Sequence, residues 1–197
     1  MEVAILLFND FETLDVFGPV ELFGRLNETY TINFYSLDGG VIQNKHGVSI
    51  LTEKLETITN GIEILIVPGG LGTRKEVDNA ELIDQIKGIS NRSTYVLTVC
   101  TGSALLARTG LLYNKQATSN KRAFNWVITN GVDVLWNRTA RWTVDGKYYT
   151  SSGVSAGMDM VLGFFSDRNG IEFARKVAHE IEYFWMEDKD NDTFRSE

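Results

Sequence analysis

Thr94-Tyr95-Val96-Leu97-Thr98-Val99-Cys100-Thr101-Gly102-Ser103-Ala104-Leu105-Leu106-Ala107 sets two periodicities back to back. Residues 95–99 are β-branched and apolar, the composition of a buried strand. From Gly102 the chain changes to small residues and leucines at helical spacing. Cys100, the only cysteine in 197 residues, falls on the sharp turn between them. Such an elbow exposes a nucleophile above a sheet and points it toward helix N-terminal N–H groups, which favour the thiolate. The alternative is a cysteine that serves as small buried filler. Thr101-Gly102-Ser103 favours the site, because small polar residues let backbone N–H groups approach a ligand.

The same alternation runs outward in both directions. Strands are expected over 2–8, 31–37, 62–67 and 95–99, with a short one over 48–52. Helices are expected over about 15–26, 79–90 and 102–109, with Gly110 closing the last. Pro19 is tolerable in the first of these only near its start. Beyond 116 the spacing predicts a helix over 121–129 and strands over 132–135 and 141–149, the latter turning at Asp145-Gly146. A small-residue helix follows over 156–165, then an amphipathic one from Gly170 through Phe184. The acidic tail from about 187 is expected to fray. Strands alternating with helices imply one α/β domain over 1–197, with a mainly parallel central sheet and helices on both faces. Ligands then bind beyond the carboxyl ends of the strands.

Composition narrows the function. A hydrophobic share of 43% supports a large core, and a net charge of -7 argues against a nucleic-acid partner. No apolar run reaches the roughly 18 residues of a membrane span, and Met1-Glu2-Val3-Ala4 does not open a signal peptide. A cytoplasmic protein is expected. The Asn-X-Ser/Thr matches at Asn27, Asn91, Asn137 and Asn191 then read as chance. One cysteine and two histidines argue against an internal disulfide and a zinc site, and no cofactor is expected.

Three strand ends carry the candidate chemistry. The first supplies Asp15 among Leu14, Val16 and Phe17; it is either a helix N-cap or an acid whose pKa desolvation raises. Asp10, Glu12 and Thr13 are rivals in the same loop. The second supplies Gly69-Gly70-Leu71-Gly72, either a tight turn or a source of bare N–H groups for an oxyanion. The third supplies Cys100 and Thr101. A nucleophilic cysteine usually pairs with histidine. His46 lies in a turn and His179 among charges on the last helix, so a Cys-His-Asp triad, and peptide hydrolysis with it, is not expected.

Val67-Pro68-Gly69-Gly70, Val99-Cys100-Thr101-Gly102-Ser103, Ala117-Thr118-Ser119 and Ser152-Gly153-Val154-Ser155-Ala156-Gly157-Met158-Asp159 together resemble the ThiJ/PfpI family of the class I glutamine amidotransferase-like superfamily. Leu14-Asp15 and Gly18-Pro19-Val20-Glu21 resemble its isonitrile hydratase branch. The resemblance runs from Val3 to about Tyr183. It implies a flavodoxin-like three-layer sandwich, a homodimer, a nucleophilic Cys100 and Asp15 as its acidic partner. It implies oxyanion N–H groups from Gly70 and Thr101, with Leu71 beside them. It also implies a pocket lined by Ser152, Gly153 and Val154. Where many relatives read Ala-Thr-Thr-His-Trp, this chain has Ala117-Thr118-Ser119-Asn120-Lys121, so Asn120 replaces a histidine. The DNA-binding domain of the AraC type that many members carry is not expected here.

The activity this implies is hydration of a small electrophile, an isonitrile, to an N-substituted formamide. A glyoxalase III-like or deglycase-like activity on 2-oxoaldehydes is the alternative within enzymes. A redox-sensing or chaperone-like dimer is the alternative outside them.

Overall fold

Strands that are apolar at every position stay dry only when both faces of their sheet are covered. The computed structural model, which describes residues 1–195, places the apolar runs in this way. In chain order the elements are β1 (Glu2–Leu6), α1 (Thr13–Gly24), β2 (Thr31–Ser36), β3 (Gly40–Gln43), β4 (Ser49–Lys54) and β5 (Ile64–Val67). Next come α2 (Thr73–Glu76), α3 (Ala80–Arg92), β6 (Tyr95–Thr98), α4 (Gly102–Arg108), β7 (Gln116–Ala117) and α5 (Phe124–Val127). Last are β8 (Leu135–Trp136), β9 (Trp142–Asp145), β10 (Tyr148–Ser151), α6 (Ala156–Asn169) and α7 (Ile171–Glu180). Eight strands form one sheet in the order β3-β4-β2-β1-β5-β6-β10-β9. Neighbours run parallel from β4 to β10, while β3 and β9 pair antiparallel at the two edges.

The register brings the functional ends together. Val67 pairs with Thr98, and Thr98 with Thr150. The chain therefore leaves β5, β6 and β10 side by side. α1, α6 and α7 pack with one another, and α3 and α4 pack together with α2, giving the two helical layers of a flavodoxin-like α/β sandwich. Phe23 of α1 meets Phe165 of α6 edge-on at 5.1 Å. Each such ring, fully buried, contributes about 1.5–3 kcal/mol. No helix among the described residues is long and apolar enough to cross a membrane.

Several boundaries differ from expectation for identifiable reasons. β1 stops at Leu6, where the chain bends toward α1. α1 begins at Thr13, so Pro19 sits mid-helix and offers no N–H to the Asp15 carbonyl one turn earlier. The expected helix over 121–129 is a single α-turn, α5, continued by a 3₁₀ turn over Ile128–Asn130. The expected strand over 132–135 is only β8, paired with β7. α6 runs on to Asn169, and α7 ends at Glu180, leaving Phe184 96% exposed.

The tail does not fray. The Lys189 carbonyl accepts from the Arg141 and Trp142 N–H groups at 2.7 and 3.2 Å, and Asp192 N–H donates to the Thr139 carbonyl at 2.6 Å. Arg141, buried, explains why. Its Nε and Nη2 hold Asp159 Oδ2 at 2.8 and 2.7 Å, and Nη1 reaches Asp192 Oδ1 at 3.4 Å. Asp159 Oδ1 accepts from Tyr183 and the Met186 N–H, both at 3.1 Å. An acidic tail that looks solvated in sequence is pinned by one buried cation.

Candidate active site

Cys100 stands at the end of β6 with φ +56°, in the left-handed region that few non-glycine residues adopt. Three groups hold it there. Its N–H donates to the Ser152 carbonyl at 3.1 Å, and its carbonyl accepts from Ser119 Oγ at 2.8 Å and Ser103 Oγ at 3.1 Å. Val154, just beyond β10, is also left-handed at φ +49°, a costlier conformation for a β-branched residue. Strain of this kind persists only where surrounding structure over-determines it, and it clusters at functional sites.

Asp15 is not a cap. Glu12 occupies the N-cap position of α1 and makes no side-chain capping bond. Asp15 is fully buried, and its Oδ2 accepts from the Gly69 N–H at 2.8 Å. Its other oxygen, Oδ1, is buried without a partner in hydrogen-bonding geometry. The Cys100 thiol and the Val154 N–H lie close enough to act on this carboxyl. Of the rivals, Thr13 Oγ1 is held by His46 Nδ1 and Asn44 Nδ2, each at 2.8 Å.

Gly69 and Gly70 lace these segments together. The Gly69 carbonyl accepts from the Glu12 N–H at 2.8 Å. Gly70 has φ +131° and forms a lone β-bridge with Phe11. A Cβ on Gly69 would meet Thr101 N at 2.5 Å, Thr101 Oγ1 at 2.6 Å and Asp15 Oδ2 at 2.9 Å. Gly69→Ala therefore displaces either Asp15 or Thr101. We expect the rate of Cys100 alkylation by iodoacetamide to change about tenfold with the helical circular dichroism kept; an unchanged rate would contradict this arrangement.

The expected role of Gly70 needs correction. Its N–H donates to Thr101 Oγ1 at 3.1 Å, so it does not face an oxyanion. Thr101 Oγ1 is further tied to Thr73 Oγ1 at 3.1 Å. The N–H groups that act on the sulfur are those of Thr101 and Val154. Thr101 thus contributes its backbone, and its hydroxyl braces the β5–α2 turn. Leu71 is 57% exposed on that turn. Ser152 holds Cys100 through its carbonyl, and Gly153 packs against the Asn120 amide.

Burial pushes the Asp15 carboxyl well above its usual range, and the nearby Glu12 charge adds to this, against the Gly69 N–H. Burial also pushes the Cys100 thiol up, and the Asp15 charge pushes it further. The Thr101 and Val154 N–H groups and the Asn120 side chain pull the other way without prevailing. Burial and the Asp15 charge thus oppose the thiolate that helix N–H groups are expected to favour. Two acids share a dry site where both cannot ionise together.

Asn120 and Ser119 are the residues whose roles the sequence did not reveal. Asn120 Oδ1 accepts from the Ala123 N–H at 3.0 Å, and its Nδ2 packs against Gly153, so the amide faces the thiol. Its signal in the sequence was only its departure from a histidine. His46 is exposed on the β3–β4 turn, and His179 is exposed on α7. What the site offers is one thiol, one carboxyl and two N–H donors.

Comparison with known proteins bears on the family and the fold. The DJ-1/PfpI family pattern matches residues 1–166. The chain is 26% identical over 183 residues to the isonitrile hydratase of Pseudomonas putida, covering 93% of this chain and 78% of that one. It is 26% identical over 190 residues to the HTH-type transcriptional regulator GbdR of Pseudomonas aeruginosa, covering 92% of this chain and 50% of the regulator. A THiJ/PfpI family protein from Pseudomonas syringae superposes with a TM-score of 0.80 at 26% identity, over 92% of this chain and 74% of that one. Drosophila melanogaster DJ-1beta superposes with a TM-score of 0.77 at 19% identity, over 93% and 98%, which speaks to the fold. With the pattern covering most of its length and the fold superposing, the chain belongs to the DJ-1/PfpI family.

Proposed function

We propose that the protein is a cysteine-dependent hydratase that converts an isonitrile to an N-substituted formamide. The observation that carries the reading is the buried Cys100–Asp15 pair with its unpartnered Asp15 oxygen. Cys100 Sγ attacks the terminal carbon of R–N≡C as its proton passes to Asp15. Asp15 delivers that proton to the same carbon, so a C–S and a C–H bond form and an S–H bond breaks. The product is the thioimidate R–N=CH–S. Asp15 then takes a proton from water as its oxygen adds to this carbon, and nitrogen gains a proton. Collapse of the adduct breaks the C–S bond, releases R–NH–CHO and returns the thiol. The sum is R–N≡C plus water, with no oxidant or reductant consumed.

The hydratase among the relatives supports the same reading at the level of the whole chain. The upward push of burial on the thiol pKa weighs against redox sensing, because peroxide reacts with the thiolate. A carboxyl without histidine weighs against the glyoxalase-like alternative. The test is formamide production from a panel of alkyl and aryl isonitriles, with Cys100→Ala as the control. Turnover lost in the control is expected; a panel that yields no formamide removes the proposal.

A further inference from the structure

Arg74 follows the Gly69–Gly72 turn as the second residue of α2. Its guanidinium lies over the Trp126 ring, 3.7 Å from the ring centre. Trp126 belongs to α5, in the segment that begins with Asn120 against the thiol. Nη1 donates to Thr73 Oγ1 at 3.1 Å, and Thr73 Oγ1 donates in turn to Thr101 Oγ1 at 3.1 Å. Arg74 is thus joined to the residue after Cys100 by two hydroxyls, and to the opposite wall by stacking. Among the described residues no acidic side chain pairs with it, in a chain with 26 acids. Burial lowers its pKa, and the Cys100 sulfur acts in the opposite sense, so charge at Arg74 and charge at Cys100 feel each other.

We propose that Arg74, fixed on Trp126 at the rim of the Cys100 site, binds a carboxylate on the substrate, so that the electrophiles taken are those carrying an acid group. Stacking fixes the plane of the guanidinium, and the Thr73 bond fixes its rotation within that plane. The remaining N–H edge keeps the fork that matches a carboxylate. The substrate class rests on the reading of Cys100 as the group that meets substrate, so the test does not depend on isonitrile turnover.

The test is the alkylation of Cys100, the only thiol, by iodoacetate and by iodoacetamide, which differ in charge at nearly equal size. Their rate ratio cancels the thiolate fraction, which is the same for both. We expect the ratio to exceed that of a small free thiol by roughly tenfold, the scale of one close charge pair in a partly shielded site. It falls to the small-thiol value in Arg74→Met and lies between in Arg74→Lys. In the unaltered protein it also falls as NaCl rises from about 0.05 to 0.5 M, which serves if Arg74→Met does not fold. Equal ratios in the parent and Arg74→Met, or a ratio indifferent to salt, overturn the proposal. An alkylation preference without isonitrile turnover removes the hydratase reading and keeps the anion subsite. Turnover without the preference does the reverse.

Discussion

Asp15→Asn is expected to lower isonitrile turnover about 10²–10⁴-fold while making Cys100 easier to alkylate. The two effects have one cause. In the proposed mechanism the Asp15 carboxyl carries the proton from sulfur to carbon, and an amide cannot. Its charge also helps hold the thiol protonated, second only to burial. Removing that charge lowers the thiol pKa, so more thiolate is present at a given pH and iodoacetamide reacts faster. The sign over pH follows. In the parent protein the alkylation rate still climbs beyond the ordinary thiol range; in the variant the climb moves to lower pH. Most substitutions that damage a site slow both reactions. A variant with intact turnover, or one whose thiol becomes less reactive, would count against Asp15 as the proton carrier.

Arg141→Met is expected to remove about 3–5 kcal/mol of stability, a fall in Tm of about 6–20 °C. Asp159 and Asp192 are both fully buried, and Arg141 is the cation they share. Methionine fills the volume but removes the cation that both carboxyls contact, leaving Asp192 only the Lys121 charge nearby. Asp192 Oδ2 already lacks a partner, so the pocket has no spare donor. The tail should come free with the pair, since Lys189 and Asp192 close onto Arg141 and its neighbours. Limited proteolysis reads this as new cleavage between 187 and 195, alongside the Tm by calorimetry. A Tm within about 2 °C of the parent would mean that the pair contributes little.

The central strands were legible because apolar runs such as Ile64–Val67 satisfy a parallel sheet and little else. The elbow was legible because the change of period at Cys100 is abrupt. What stayed hidden depends on contacts distant in sequence. Asp15 could be separated from a cap only by seeing Gly69 donate to it across 54 residues. The pinning of the tail needed Arg141, which in sequence is one basic residue in a strand. Local helix N–H groups, which favour a thiolate, are visible in sequence, whereas the depth of burial and the Asp15 charge, which oppose it, are not. Asn120 was noticed as a departure, and its place beside the sulfur came from the return of the chain along β7.

The left-handed backbone of Cys100 and Val154 at the site has a further consequence. Each is kept out of its preferred backbone basin by neighbours, and each relaxes when those neighbours loosen. The strained site is then where the fold has least to lose by opening. Since the chain has one thiol and it sits at that point, the protein carries its own gauge of local opening. The rate at which the thiol becomes reachable reports the breathing of the site, whether or not any substrate is known.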